Sequence, residues 1–583
     1  MPEKNGIFSK RVSGALACTL ALFFSVFFFI NCNAQNLDIK IDHKDSRVSE
    51  NIRLLLGDLD HSTNRAELGE TIADAIEKGA NVYGYYDPDY QWKIVKNELR
   101  ILIKASEPVS VTRLDIQVLG GAQSLPEVEN IIAKTAFKTG AALNHKDWEN
   151  LKNDLLLALF DAGYLESHIV KSEIRVDVEN LSAEATLSID SNEQFYVGVI
   201  SYSGTTLDTT LLEKLLPEKS GSIASRTHLM NLHKTLIDTQ YFSGIEFQTQ
   251  NSLDDKNRKV MNVQIMVKEQ PSHLFEIGSG YGTDTGPRLR FNWLQPKTNN
   301  QGHSLENSLF LSPENIKLET SYKIPTPHPL NNFVRLGVKY ENRQFDDSSS
   351  EKITTSLSQY RTLGRNWQQN LKMDFEHELY EAGNLATEKV SHWVPGASWQ
   401  YRKLEKGRDP QSGLKLWFET AGSTRWLGSE TDFMSLRSGV SWLYSFTPTQ
   451  QLISRFELGA VITPDIDKVP VSKRFFTGGD QSVRGYAYES ISPVDNSQQS
   501  IGGKYLNITS FEYSYRFKEN WRISLFTDAG RAYNKQDEDI KHSIGTGLKW
   551  LSPVGHIKTD LAFPVNDATT DRWRLHFSIG LPL

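Results

Sequence analysis

The sequence predicts a transmembrane antiparallel β-barrel of about sixteen strands, preceded by three α/β units of β-α-α-β-β order. Three observations carry this: an apolar leader, an α/β pattern that recurs at a steady spacing, and a second half of ten-residue segments that alternate apolar and polar side chains. At 583 residues the chain is too long for one ordinary domain.

The leader runs from Val12 to Ile30, preceded by Lys4, Lys10 and Arg11 and followed by Cys32-Asn33-Ala34, with small residues at the −3 and −1 positions before Gln35. A basic start, an apolar middle and a small-residue site are the marks of a secretory signal peptide, here residues 1–34, cleaved near Ala34. An uncleaved helical anchor is the alternative, because the apolar run is nearly long enough to span. Phe29-Ile30-Asn31 lacks the small residues of a lipoprotein signal before Cys32. Both cysteines, Cys18 and Cys32, lie in the leader. A mature chain without thiols has no disulfide, no Cys-ligated metal and no cysteine nucleophile. The net charge of −7 and the lack of any sustained Lys/Arg run argue against a nucleic-acid partner.

Between Gln35 and Pro271 a mixed α/β pattern recurs. The clearest copy opens with the alternating segment Val111–Gly120, followed by helices over Pro126–Phe137 and Lys146–Ala162. The second helix places Trp148, Leu151, Leu155, Leu159 and Ala162 on one face at spacings of three and four, and Gly163 stands as its stop. Strands over Ile169–Val178 and Ala183–Asp190 close the unit. The next copy has helices over Leu207–Leu216 and Arg226–Thr239. Tyr164 and Tyr241 occupy the same place after the second helix, and a similar interval back from Tyr164 reaches Tyr86. Three units follow, spanning 35–106, 107–191 and 192–271, with the barrel over 272–583.

After Pro271 helical periodicity ends. In Phe333–Asn342, Val334, Leu336, Val338 and Tyr340 oppose Arg335, Gly337 and Lys339; near the end, Trp573, Leu575, Phe577 and Ile579 oppose Arg574, His576, Ser578 and Gly580. A tilted membrane strand needs about 9–11 residues with one lipid face and one wet face, and its backbone groups are satisfied only in a closed barrel. The same alternation explains a mean hydropathy of only −0.43. A tally gives sixteen such segments between Leu274 and Leu583, with short turns expected after even-numbered strands and long ones after odd-numbered strands, the longest spanning about Thr463–Gly502. Ten of the twelve tryptophans follow residue 272, which suits interfacial girdles and disfavours the competing soluble sandwich.

The longest loop contains Arg474–Pro493, in which Gly478-Gly479 precede Val483-Arg484-Gly485-Tyr486. The following strands carry Glu512 in Phe511–Tyr515 and Phe526, Asp528 and Gly530 in F-x-D-x-G. Catalytic signatures of the HExxH, GxSxG and Walker types are missing, so no enzyme activity and no cofactor are expected. Asp465 and Asp467 read as solvated carboxylates in preference to a cation site, and Gly545-Thr546-Gly547 lacks the strand-to-helix setting of a phosphate loop.

On these residues the sequence resembles the superfamily of outer-membrane insertases and two-partner secretion transporters whose periplasmic units are POTRA (polypeptide-transport-associated) domains. The resemblance implies that the VRG[FY] loop folds back into the barrel, with Arg484 meeting Glu512 and Asp528 on the wall. It implies an outer-membrane barrel with POTRA domains in the periplasm, where sheet edges can pair with incoming segments. Three units, a sixteen-stranded barrel and the ending GLKWLSPVGHIKTDLAFPV…FSIGLPL resemble the TamA type within it. That type implies a TamB-like, inner-membrane-anchored partner, unfolded outer-membrane clients such as autotransporters, and the lipid bilayer. The two-partner secretion type, exporting one dedicated substrate through the pore, is the alternative.

The implied mechanism uses a lateral seam between the first strand (about Leu274–Gly282) and the last (Arg572–Leu583, with Phe577). Gly278, Gly280 and Gly282 weaken one edge, and Gly580 and Pro582 limit pairing at the other. These glycines serve either to let the seam open or only to bend the wall.

Overall fold

The computed structural model describes residues 37–580, apart from 58, 60–64, 97, 105–106, 217–219, 285, 327, 406, 553–554, 566 and 568–569. The expected leader with Cys18 and Cys32, its cleavage near Ala34, and the terminal Pro582 and Leu583 lie outside the described residues. The chain divides into two compact units: one holds the first two α/β repeats, the other most of the third repeat together with the barrel.

The first repeat comprises β1 (Asp38–Asp42), α1 (Ser46–Leu56), α2 (Arg65–Asn81), β2 (Tyr90–Val95) and β3 (Glu98–Ile103). Asp45 caps α1 by accepting from the Arg47 amide, and Gly57, at φ 59°, ends it. The sheet order is β1-β3-β2, with β1 parallel to β3. Leu99, Ile101 and Ile103 alternate onto the inner face of β3, where Val48, Ile52 and Leu56 of α1 cover them.

The second repeat has the same plan: β4 (Ser110–Leu119), α3 (Pro126–Lys134), α4 (His145–Asp161), β5 (His168–Asp177) and β6 (Ser182–Asp190), in the order β4-β6-β5. Asn144 caps α4, and Trp148, Leu151, Leu155 and Leu159 are buried as the spacing predicts, while Ala162 is half-buried just past the helix end. Truncating Leu155 to alanine would cost about 2–5 kcal/mol, because little else could fill the space.

The third repeat, β7 (Tyr196–Ser203), α5 (Thr209–Glu213), α6 (Arg226–Asp238), β8 (Phe242–Leu253) and β9 (Lys259–Glu269), keeps the order β7-β9-β8. Its first helix is one turn, shorter than the sequence pattern predicts.

Sixteen antiparallel strands, as tallied from the sequence, then form a closed barrel. They begin with β10 (Leu274–Gly282), β11 (Gly286–Gln295), β12 (Ser304–Leu311), β13 (Asn315–Pro325) and β14 (Asn332–Phe345). The middle of the wall is β15 (Ser348–Leu363), β16 (Trp367–Glu381), β17 (Glu388–Leu404), β18 (Ser412–Ser423), β19 (Phe433–Thr447) and β20 (Gln450–Ile462). The last five are β21 (Tyr505–Lys518), β22 (Trp521–Tyr533), β23 (Lys541–Ser552), β24 (Gly555–Pro564) and β25 (Arg574–Gly580). Leu336 and Val338 of β14 face outward, 45% and 53% exposed, while Lys339 turns inward beside Glu341 at 2.9 Å. Apolar side chains exposed on the outer face are what a barrel in lipid requires.

The expected parity of turn lengths holds only for the second half of the barrel. Residues 312–314 and 346–347, after odd-numbered strands, are tight turns, whereas 296–303, after the second strand, is long. Long-range contacts explain the exception. In that turn Lys297 reaches Thr206 (2.7 Å) and Glu269, Asn300 bonds Asp208 (2.9 Å), and the Tyr241 hydroxyl donates to the Gly302 carbonyl at 2.6 Å. The turn is long because it docks the third repeat onto the barrel.

A loop latched to the wall and a lateral seam

The 463–504 loop leaves β20 and folds inward, held at two places. At the first, Ser472 donates to Glu378 (2.7 Å) and Lys473 pairs with Glu376 (2.8 Å), both acceptors on β16; Lys352 of β15 donates to the Ser472 hydroxyl at 3.1 Å. Arg474 donates to the carbonyls of Asp467, Val469 and Ile501, each at 2.9 Å. Asp465, in the same loop, pairs with Lys468 at 3.1 Å.

The second place is built around Arg484, whose side chain has no exposed surface. Its guanidinium meets Asp528 in a two-pronged arrangement, Nε to Oδ2 at 2.8 Å and Nη2 to Oδ1 at 2.9 Å. Nη1 reaches Glu512 at 2.8 Å and Asp560 at 3.0 Å. Ser510 donates to Asp528 at 2.7 Å and so holds that carboxylate flat to its partner. Phe526 lies under the group, 3.3 Å from its central carbon to the ring centroid. The planar fork and weak hydration of arginine suit a site that supplies both carboxylates and an aromatic face.

Burial by itself favours an uncharged guanidine, but the carboxylates of Asp528, Glu512 and Asp560 outweigh it and hold the Arg484 pKa above its usual value. Lys558 balances the remaining negative charge, 3.1 Å from Glu512 and 2.8 Å from Asp560. Such a cluster is poor in net stabilisation yet specific. Removing one member strands the others, at about 3–5 kcal/mol.

Backbone shape brings Arg484 there. Gly478 (φ 111°) sits where a β-carbon would lie 2.3 Å from the Ala487 carbonyl oxygen, and Gly485 passes so close to β23 and β24 that one would lie 2.7 Å from Ser543 Cβ. Gly479 accompanies the turn, its amide donating to the Tyr486 carbonyl at 3.1 Å. Val483 is fully buried, with Gly530 making room for it, and Tyr486 is buried with its hydroxyl 3.2 Å from Asp567.

The ten residues expected at the loop and wall are thus brought together: Gly478, Gly479, Val483, Arg484, Gly485 and Tyr486 from the loop, Glu512 from β21, and Phe526, Asp528 and Gly530 from β22. Sequence reasoning missed Asp560, Ser510 and Lys558. The signal for two of them was present, since the alternation of β24 puts Lys558 and Asp560 on the inward side.

The seam residues lie apart from this cluster. β10 pairs with β11 along its whole length, from Leu274↔Leu294 to Gly282↔Gly286, but among the described residues it pairs with β25 only at Gly282↔Ser578. Gly580 pairs with His556 on the other side of β25, and the Phe577 amide donates to the Thr283 hydroxyl at 3.2 Å. A β-carbon at Gly280 would meet nothing within 4 Å, and one at Gly278 only Arg290 Cβ at 4.0 Å, so neither glycine is demanded by packing.

Comparison with known proteins bears on the fold and the family. The Omp85 superfamily domain matches residues 273–582. The outer membrane protein assembly factor BamA of Nitratidesulfovibrio vulgaris is 23% identical over 448 residues, 72% of this chain and 55% of that protein. BamA of Neisseria meningitidis is 20% identical over 591 residues, 88% of this chain and 73% of that protein. The chain therefore spans only about half the length of the first of these relatives. Among solved structures, Haemophilus ducreyi BamA lacking POTRA domains 1–3 superposes with a TM-score of 0.65 at 16% identity, covering 80% of this chain and 99% of that one.

Proposed function

This chain belongs to the Omp85 superfamily, and from that premise we propose that it is an outer-membrane assembly factor of the TamA type, with residues 1–34 as leader, periplasmic POTRA domains at 35–106, 107–191 and 192–271, and the barrel at 272–583. It helps insert autotransporters and other barrel clients through the seam between β10 and β25, without catalytic chemistry. The observation that carries this reading is the seam itself. Among the described residues it is the one strand junction of the wall held by a single ladder pair, leaving Leu274–Tyr281 of β10 with an edge that a client strand can pair with. The Arg484 latch holds the loop in the lumen beside that seam. Three α/β units and sixteen strands favour the TamA type, whose partner is a TamB-like protein reached through the POTRA domains.

The test is a disulfide across the seam, Gly282→Cys with Ser578→Cys. Oxidation blocks client assembly and reduction restores it if the seam is the exit; full activity of the oxidised protein rules the exit out. The alternative, export of one dedicated substrate through the pore, predicts a large ion conductance once Arg474–Pro493 is deleted, and a single exported substrate.

A further inference from the structure

We propose that Asp284 and His576 form a clasp that ties the position of the 463–504 loop to closure of the β10–β25 seam. Among the described residues one ladder pair joins these strands, and side chains add to it. Asp284, in the turn after β10, lies with its Oδ2 3.2 Å from Nδ1 of His576 on β25. The same Oδ2 accepts from the Asp480 amide of the loop at 2.7 Å. On its other side, Nε2 of His576 reaches the backbone carbonyl of Arg484 at 2.5 Å. Both side chains are buried, 4% and 7% exposed. One carboxylate oxygen and one imidazole thus connect first strand, last strand and loop.

The carbonyl at Nε2 requires a hydrogen there, and the Asp284 carboxylate lies within ion-pair distance of Nδ1, so both ring nitrogens have an acceptor beside them. The other charged groups around it are Asp560, its cross-strand partner on β24, and the Asp480 and Arg484 side chains of the loop. If the loop withdraws, His576 loses its carbonyl acceptor and Asp284 loses its amide donor, both in a buried place where unmade hydrogen bonds are costly. Among the described residues the junction then keeps Gly282↔Ser578 and the Phe577–Thr283 bond. Linkage is reciprocal, so a closed seam in turn favours the docked loop. His576 and Asp284 are positioning residues, and the inference rests on the seam serving as the exit proposed above.

The test uses the full chain in lipid bilayers, with Cys18→Ala and Cys32→Ala, and spin labels at Leu289→Cys and Leu575→Cys, both exposed on the outer face. Strands lie about 5 Å apart, so loss of the junction lengthens the label distance by at least about 5 Å and broadens its distribution. His576→Phe and Asp284→Asn should each produce that shift, and Asp284→Glu should restore the narrow distance. Arg484→Ala should produce it too, with no further change when combined with His576→Phe. Heat-modifiable gel migration confirms a folded barrel in every variant. Unchanged distances in folded His576→Phe and Asp284→Asn overturn the clasp, whatever the disulfide test says of the exit. A loosened seam with normal client assembly supports the clasp and defeats the exit.

Discussion

The two sides of this barrel are closed by different means. Away from the seam, β15 and β16 are zipped from Ser349↔Glu381 to Leu363↔Trp367, and β14 joins β15 as completely. At the seam, β10 and β25 share one ladder pair among the described residues, and side chains add to it. A backbone ladder is insensitive to the loop in the lumen, because its bonds do not involve that loop. A junction made of side chains is sensitive to it, because Asp284 and His576 share their hydrogen bonds with Asp480 and Arg484. The difference is that β14–β16 are joined by continuous backbone ladders, whereas side chains carry much of the described β10–β25 junction.

The comparison is broken most directly by crosslinking both sides. A disulfide between Leu357→Cys and Met373→Cys, partners on β15 and β16, should leave client assembly at the uncrosslinked level, whereas the seam disulfide abolishes it. Equal effects from the two crosslinks would erase the distinction.

Next in size is Arg484→Ala, which strands Asp528, Glu512 and Asp560 and destabilises the docked loop by about 3–5 kcal/mol. The barrel should keep its folded gel migration, Arg474–Pro493 should become protease-sensitive, and client assembly should fall. Normal assembly by that variant would remove the role given to the loop.

A smaller pair sharpens the picture of the latch. Asp528→Asn loses a two-pronged charged contact to Arg484 and weakens the bonds from the Arg484 amide and the Ser510 hydroxyl, so it should cost more than Asp560→Asn, which loses one contact to Arg484 at 3.0 Å and one to Lys558 at 2.8 Å; the scale is about 1.5–3 kcal/mol for each lost charged bond. Urea titration of loop protection reads the order, and the reverse order would show that Glu512 and Asp560 dominate.

The smallest effect concerns the third repeat. Despite burial, which favours the neutral acid, Lys297, the Thr206 amide and the Thr205 hydroxyl hold Glu269 down at about 2 against an ordinary 4.5. The depressed value means its contribution is present above about 4.5 and is lost as pH falls towards about 2. Hydrogen exchange in the 296–303 turn should therefore rise over that window, and Glu269→Gln should flatten the dependence. An unchanged pH profile in the glutamine variant would assign it to other groups.

Much of this was legible beforehand, for reasons that differ by element. Helix α4 announces itself through Trp148, Leu151, Leu155 and Leu159 because a 3.6-residue period leaves a mark on any amphipathic helix. The sixteen strands are legible because lipid outside and a polar lumen inside impose a two-residue period. Arg484, Glu512 and Asp528 stood out through their motif setting, not through any local physical rule. The turn lengths failed as a guide in the first half, since 296–303 is shaped by contacts to Thr206, Asp208, Tyr241 and Glu269, all distant in sequence.

By itself, then, the sequence determined the repeat order, the barrel and its strand number, and the inward face on which Glu512, Asp528 and Asp560 would lie. Those follow from local periodicity, which each segment carries alone. Only the tertiary structure decided that Asp560 joins Arg484, that one oxygen of Asp284 serves both His576 and Asp480, and that β10 and β25 meet at a single pair among the described residues. These depend on register and loop path, which are settled between segments hundreds of residues apart, and no local pattern records them.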